Sequence, residues 1–451
     1  MKIAILGFGR EGKSLLRFIK KNNPKTNVKI LDRKFDKNYL KKLQDFDIVY
    51  RSPGVPYNLP AIQKALKSGV KFSSATAIFF DEIRKMVRRG SPQVIGITGT
   101  KGKGTTATLL YKIFKACGKR VYLAGNIGKS AIEILPRLKK NSIVILELSS
   151  FQLQDLKVSP EIAVVLETFP DHMDSHKNLQ EYFDAKANIA RFQKKSDKIF
   201  YFDDNRWSKW IAQKSRGKKI PVSVRNLKLF KLKDLKMPGE HNLKNAAMAV
   251  TVALSLGCPK NKILKVVKNF RGNEHRLELV RIIKIPAKKH SNILENVRML
   301  FYNDSASTNP QTAAAAIRAF KEPKILIAGG KDKGLDYSPL AKALKNSNTK
   351  LVILFGENKN KIKRQIARLP SRGTSGQAKS KAQIVLVKDL KTSVNLAYKT
   401  AKKLINQSKP IPQFPNQLIT IVFSPASASF DMFKNYQDRG EKFKEIVKSL
   451  K

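Results

Sequence analysis

The sequence predicts an α/β chain of three domains built on mainly parallel sheets. Short apolar strand-like runs alternate with helix-patterned stretches from end to end. A strand–glycine loop–helix pattern opens twice, at residues 2–19 and again at 93–114. The 451 residues also exceed what one hydrophobic core usually organises. Hydrophobic residues at 42% suit packed domains and argue against a disordered chain.

The first domain is expected over residues 1–90. It begins with KIAILGFGREGKSLLRFI, a strand, a glycine turn and a helix, and continues through Val28 to Asp32 and Phe46 to Gly54. Charge, glycine and proline between Met86 and Pro92 read as a linker. The second domain, 91–275, restarts the pattern with QVIGITGTKGKGTTATLLYKIF. It runs on through the strand patterns SIVILELSS and IAVVLET to the helical stretch Asn242 to Gly257. Arg271 to Arg276 reads as the next junction. The third domain, 276–451, repeats strand patterns at VRMLFYNDS, PKILIAGG, KLVILFG and LITIVFSP. The Ser-, Gly- and Lys-rich tract Pro370 to Lys381 is expected to be a surface loop.

Eighty-nine Lys+Arg against 34 Asp+Glu give a formal charge of +55, enough to attract polyanions. The basic residues are spread through every segment rather than gathered into one stripe. Lysine-dressed helix faces therefore explain them better than a nucleic-acid partner, and no base-stacking motif accompanies them. No apolar run reaches the ~20 residues that span a bilayer. Cys117 and Cys258 lack metal-type spacing, so neither a disulfide framework nor a Cys-based zinc site is expected. Together these readings imply a cytoplasmic enzyme.

Two loops carry the chemistry. Gly7-Phe8-Gly9-Arg10-Glu11-Gly12 fits G-x-G-x-x-G after a strand, and Asp32 stands 20 residues beyond Gly12 at the end of the next strand. That is the dinucleotide fingerprint of a Rossmann-like domain, which makes an NAD-dependent oxidoreductase a rival reading. The glycines themselves require only a tight turn approaching a phosphate. The second loop, Gly99 to Thr106, is a phosphate cradle with Lys103 placed for the β/γ-phosphates. It departs from the strict motif: Ile97 holds the first glycine position and Gly104 the Ser/Thr position, leaving Thr105 for the hydroxyl role.

ELSSFQL at 147–153 resembles a signature of the Mur ligase family, within it the D-glutamate-adding branch. Further matches follow in the family's order at Asp171 to Asp174, Gly239 to Asn242 with Asn245, His275-Arg276, Asn303 to Ser305, Gly329 to Gly334 and Ser424 to Asp431. The resemblance covers essentially the whole chain. It implies a Rossmann-like UDP-binding domain, a central phosphate-loop ATPase-like domain and a Rossmann-like C-terminal domain. The implied reaction ligates D-glutamate to UDP-N-acetylmuramoyl-L-alanine with ATP and Mg²⁺ through an acyl phosphate, in peptidoglycan precursor synthesis. A monomer acting on small molecules is implied. A folylpolyglutamate synthase-like ligase is the nearest alternative, since GKGTT resembles its phosphate loop.

Roles follow from the same resemblance. Lys103, Glu147, His172 and Lys186 form the catalytic set. Thr105, Glu147, His172 and Lys186 (as its carbamate) hold Mg²⁺. Gly99, Thr100, Lys101, Gly102, Lys103, Gly104 and Thr105 wrap the ATP phosphates, with Asn242, Asn245, Arg276 and Asp304 on the nucleotide. The UDP substrate falls to Phe8, Gly9, Arg10, Asp32, Arg33, Lys34, Ser52, Gly54 and Asn126. D-glutamate falls to Thr308, Lys333, Ser429, Phe430 and Tyr436. His176 has no family role and is expected to be a solvated loop histidine.

Overall fold

A computed structural model describes residues 1–86, 92–171, 176–224, 229–285, 297–368, 382–407 and 418–450. The expected Pro370–Lys381 loop, the interior of the 86–92 linker and His172 lie outside the described residues. The chain divides into two compact units, residues 1–231 with 241–269, and residues 232–240 with 270–451.

The first unit holds two sheets. One joins β1 (Ile3–Leu6), β2 (Val28–Leu31), β3 (Ile48–Arg51) and β4 (Lys71–Ser73), all parallel in the order β2-β1-β3-β4. The other joins β5 (Gln93–Thr98), β6 (Val121–Gly125), β7 (Ile143–Glu147), β8 (Ile162–Val165), β9 (Lys198–Phe202) and β10 (Lys218–Val222). It is parallel throughout, in the order β10-β9-β8-β5-β7-β6. Strands β7 and β8 are buried along their length because helices cover both faces of a parallel sheet.

A shared core ties the two sheets together, with Ile5, Leu15 and Phe79 packing in one cluster with Val94, Leu146 and Leu153. A buried ion pair reinforces it: Arg51 Nε lies 2.9 Å from Asp155 Oδ2, and the guanidinium also donates to the carbonyls of Val55 and Phe151. Losing one partner of such a pair costs about 3–5 kcal/mol.

The second unit holds β11 (Glu278–Ile285), β12 (Val297–Asn303), β13 (Lys324–Gly329), β14 (Thr349–Phe355), β15 (Gln383–Leu386) and β16 (Leu418–Phe423). Their order is β11-β12-β16-β13-β14-β15, and β11 alone among them runs antiparallel to its neighbour. One apolar cluster lies between the sheet and the helices Leu390–Gln407 and Tyr436–Ser449. A second lies under the helices Pro310–Arg318, Ser338–Lys345 and Lys359–Ala367. No helix of the described residues is long and apolar enough to cross a membrane.

Candidate active site

β1 passes into the helix Arg10–Asn22 through Gly7, whose φ of 89° suits glycine. A Cβ on Gly12 would stand 2.3 Å from the Gly7 carbonyl oxygen, so the third glycine of the motif lets the helix sit on the turn. Ser52 donates to that same carbonyl at 2.5 Å. The Asp32 carboxylate accepts the Phe8 amide at 2.6 Å and the Lys34 amide at 2.9 Å. Those amides, Phe8's foremost, hold its carboxyl below the usual range. Asp32 thus organises the loop itself. The Arg10 guanidinium reaches the carbonyls of Gly125 at 2.8 Å, Gly128 at 2.9 Å and Asn126 at 3.2 Å. Phe8 is half-buried, edge-on to Phe35, while Arg33, Lys34 and Gly54 are exposed. Gly9 caps the helix.

The second loop is wired differently. β5 ends at Thr98, and the helix Lys103–Ala116 starts from Gly102, whose φ is 85°. A Cβ on Gly102 would lie 2.1 Å from Asn245 Oδ1, so the loop rests directly on the helix Glu240–Ser255. Asn242 and Asn245 are both buried there. Lys103 Nζ donates to Gly99 O at 2.9 Å and Thr100 O at 3.1 Å, and Lys186 Nζ donates to Gly99 O at 3.0 Å. Two ammonium groups therefore converge on one loop carbonyl. Burial first, and then the charge of Lys103, hold the Lys186 ammonium well below the usual lysine range, opposed by Asp171 and Glu147.

Glu147 ends β7 and is 6% exposed, with Oε1 accepting the Asn126 side-chain amide at 3.0 Å. Thr100 Oγ1 donates to Phe169 O at 2.8 Å and lies 2.9 Å from the Tyr182 hydroxyl. Lys101 Nζ sits over the Phe169 ring at 5.2 Å. Gly104 and Thr105 are half-buried in the first helical turn, whereas Thr106 is buried and its hydroxyl has no partner among the described residues.

Tyr182 was given no role from the sequence. Its spacing of four from Lys186 on the helix Leu179–Arg191 puts both on one face, and the ammonium lies 4.8 Å from the Tyr182 ring centroid. His176 corrects an expectation. It is 4% exposed, stacked on Phe151 at 5.2 Å, with Nε2 3.1 Å from Ser150 Oγ. Apolar neighbours on both sides bury it, a tertiary arrangement that a short polar loop does not announce.

In the second unit, Asp304 accepts from Ser424 Oγ at 2.7 Å and from the Leu277 amide at 3.2 Å. Burial pushes its carboxyl up to about 7, against the opposing influence of Ser424 and Arg276. Arg276 is itself exposed. Arg439, missed in the sequence, is fully buried and binds the carbonyls of Ser305, Ser427 and Ala428, which fixes the segment after β16. On that segment Ser429 is buried, and Phe430 is exposed beneath Lys333 Nζ at 5.6 Å from its ring. Thr308 and Tyr436 are half-buried, and Tyr436 lies edge-on to His275 at 6.2 Å. The ligand atoms of Glu274, His275 and Glu441 lie within 4.8 Å of one another, but Lys444 pairs with Glu441 at 2.7 Å.

A strand, a glycine cradle with a lysine, and a strand-end glutamate define an α/β protein of the phosphate-loop class. The profile of the Mur ligase middle domain matches residues 97–253. The UDP-N-acetylmuramoylalanine--D-glutamate ligase of Acetivibrio thermocellus is 32% identical over 100% of this chain and 96% of its own length. The ligase of the same name from Symbiobacterium thermophilum is 33% identical over 91% and 86%. Among solved structures, the UDP-N-acetylmuramate-alanine ligase MurC of Thermotoga maritima superposes with a TM-score of 0.54 at 18% identity, covering 100% of both chains. The Mycobacterium tuberculosis folylpolyglutamate synthase, complexed with ADP and AMPPCP, gives 0.55 at 12% identity over 81% and 95%, a likeness of fold. The chain belongs to the Mur ligase family.

Proposed function

We propose that this chain joins D-glutamate to UDP-N-acetylmuramoyl-L-alanine with cleavage of ATP, as a monomer in the cytoplasm during peptidoglycan precursor synthesis. The carrying observation is the convergence of Lys103 and Lys186 on the Gly99 carbonyl, beside the strand-end carboxylate of Glu147. Full-length similarity to D-glutamate ligases selects the substrates. Residues 1–90 would take the UDP moiety, 91–275 the ATP and 276–451 the amino acid.

The L-alanyl carboxylate would attack the γ-phosphoryl group, releasing ADP and leaving an acyl phosphate. The D-glutamate amine then displaces phosphate to form the amide. Both partners of the first step are anions, so the chain must neutralise charge before they meet. Lys103 supplies an ammonium for phosphoryl oxygens, and the first amides of the helix Lys103–Ala116, which have no intrahelical acceptor, would meet the phosphates.

Mg²⁺ would offset charge between the carboxylate and the triphosphate. The donors present suit that hard cation: the Glu147 carboxylate, the Thr105 hydroxyl and the hydroxyl of Thr106, which has no partner among the described residues. Lys186 would join them as a carbamate, with His172. Burial favours its neutral amine, the form that adds to CO₂ and releases a proton. Asn242, Asn245, Arg276 and Asp304 would clasp the nucleotide; Thr308, Lys333, Ser429, Phe430 and Tyr436 would hold D-glutamate.

The test is phosphate release from ATP with UDP-N-acetylmuramoyl-L-alanine and a panel of amino acids. D-glutamate alone should stimulate turnover strongly. Stimulation by L-glutamate with a folate acceptor would install the folylpolyglutamate reading instead, and saturable NAD binding would install the oxidoreductase.

A further inference from the structure

The carboxyl ends of β13, β14 and β15, with the segment after β16, border an open cleft of about 500 Å³. That is the end of a parallel sheet where ligands of doubly wound folds bind. Five charged residues line it: Lys331, Glu357, Lys359, Lys388 and Asp431. Two of them cancel, because Lys331 Nζ lies 2.7 Å from Glu357 Oε2. Lys359 donates weakly to the Val387 carbonyl at 3.4 Å, and neither it nor Lys388 forms an ion pair among the described residues. Asp431 Oδ2 accepts the Glu357 amide at 3.2 Å, while Oδ1 is shut from water without a partner among the described residues. The floor is rigid: at Gly356, with φ of 79°, a Cβ would lie 2.7 Å from Asp431 Oδ2 and 2.8 Å from the Gly330 amide nitrogen.

The charge left outside ion pairs among the described residues is thus two ammonium groups and the Asp431 carboxylate, which also feels Lys331 and Arg439. An acidic amino acid carries the inverse set, two carboxylates and one ammonium. Inorganic phosphate would match the lysines but face Asp431 with like charge. Phe430, 64% exposed, and Met432, 44% exposed, offer apolar surface for the ligand's methylenes. The Phe430 ring also carries Lys333 over its face, so the cleft adjoins the residues proposed to hold D-glutamate.

We propose that this cleft is a capture subsite for the acidic amino acid, adjoining the residues that hold it for reaction and sharing Phe430 with them. The inference rests on the reading of D-glutamate as the incoming substrate. Lys359 and Lys388 draw the dicarboxylate in, Asp431 orients its ammonium, and the ligand passes along Phe430 toward Lys333. A charged cleft of this kind raises local substrate concentration.

The experiment compares steady-state kinetics of the full chain and three variants. Lys359→Ala with Lys388→Ala should raise KM for D-glutamate about tenfold while kcat and the KM values for ATP and the UDP-sugar stay unchanged. Lys363→Ala with Lys399→Ala removes equal charge from exposed positions on the neighbouring helices and should leave every constant in place. Asp431→Asn should raise KM for D-glutamate yet spare inhibition by glutarate, which has the two carboxylates and no amine. An unmoved KM in the first variant, an equal rise in the control pair, or parallel weakening of glutarate by Asp431→Asn would overturn the subsite. Wild-type protein indifferent to D-glutamate would instead overturn the proposed function.

Discussion

The two glycine loops of the first unit share one local design and present opposite chemistry. Each leaves a parallel strand, turns on a positive-φ glycine and opens a helix. In the first, the ionised side chains are committed to the protein's own backbone: Asp32 to two amides, Arg10 to three carbonyls. What remains for a ligand there is shape, aromatic surface and exposed Arg33 and Lys34. In the second, the Lys103 ammonium sits on the Gly99 carbonyl beside the buried Lys186 and Glu147, and Lys103 is the cation that meets an arriving polyanion. A glycine motif therefore specifies a turn, while the long-range neighbours decide what charge the turn offers.

The largest expected effect breaks the second loop and spares the first. Lys103→Ala should lower kcat by about a hundredfold or more, since it removes a cation facing charge that grows during phosphoryl transfer. Its thermal midpoint and its affinity for the UDP-sugar, read by calorimetry, should hold. Near-normal turnover in the purified variant would remove Lys103 from the phosphate cradle.

A glycine pair sharpens the contrast at the level of stability. Gly102→Ala drives a methyl into Asn245 at a left-handed backbone position and should cost about 2–3 kcal/mol in urea unfolding. Gly9→Ala meets nothing within 4 Å, and its φ of −76° suits alanine. That substitution should stay within about 0.5 kcal/mol. Equal costs at the two sites would mean that the loops are packed alike.

The smallest effects are pH slopes of opposite sign. Asp32 is held ionised, so its contribution is present above the ordinary Asp value and is lost as pH falls through its depressed one. Asp32→Asn should therefore lose stability near neutral pH and converge with wild type on acidification. Lys186 has its ammonium disfavoured. The folded state sheds that proton before the unfolded chain does, and stability rises with pH until the ordinary lysine value is reached. Lys186→Met should flatten that rise and abolish turnover. Lys186→Arg should be inactive too, because guanidinium forms no such carbamate. Urea melts between about pH 4 and pH 10 measure both slopes. Full activity of Lys186→Arg would return this residue to a purely structural role.

Legibility followed burial. The strands recognised in the sequence, such as β5, β7, β8, β13, β14 and β16, are runs of apolar residues enclosed by helices on both faces. Those that escaped notice stand mostly at sheet edges: β4, β6, β10, β11 and β15. There one side is open, basic residues interrupt β10 and β11, and β10 even tolerates Pro221. The inner strand β9 was missed as well, and its KIFYF reads as a strand only once its neighbours are known.

By itself the sequence determined the fold class, the order of the strand–loop–helix units and the two glycine turns, because periodicity and backbone sterics act over a few residues. The ordered run of short motifs also pointed to the family. Tertiary structure alone decided which charges remain available: Asp32 and Arg10 committed to backbone groups, His176 buried, Arg439 clamped on carbonyls, and Asp304 pushed up to about 7 by burial. Those outcomes depend on hydrogen-bond partners and solvent exclusion contributed by segments tens to more than a hundred residues away, and no local pattern encodes them.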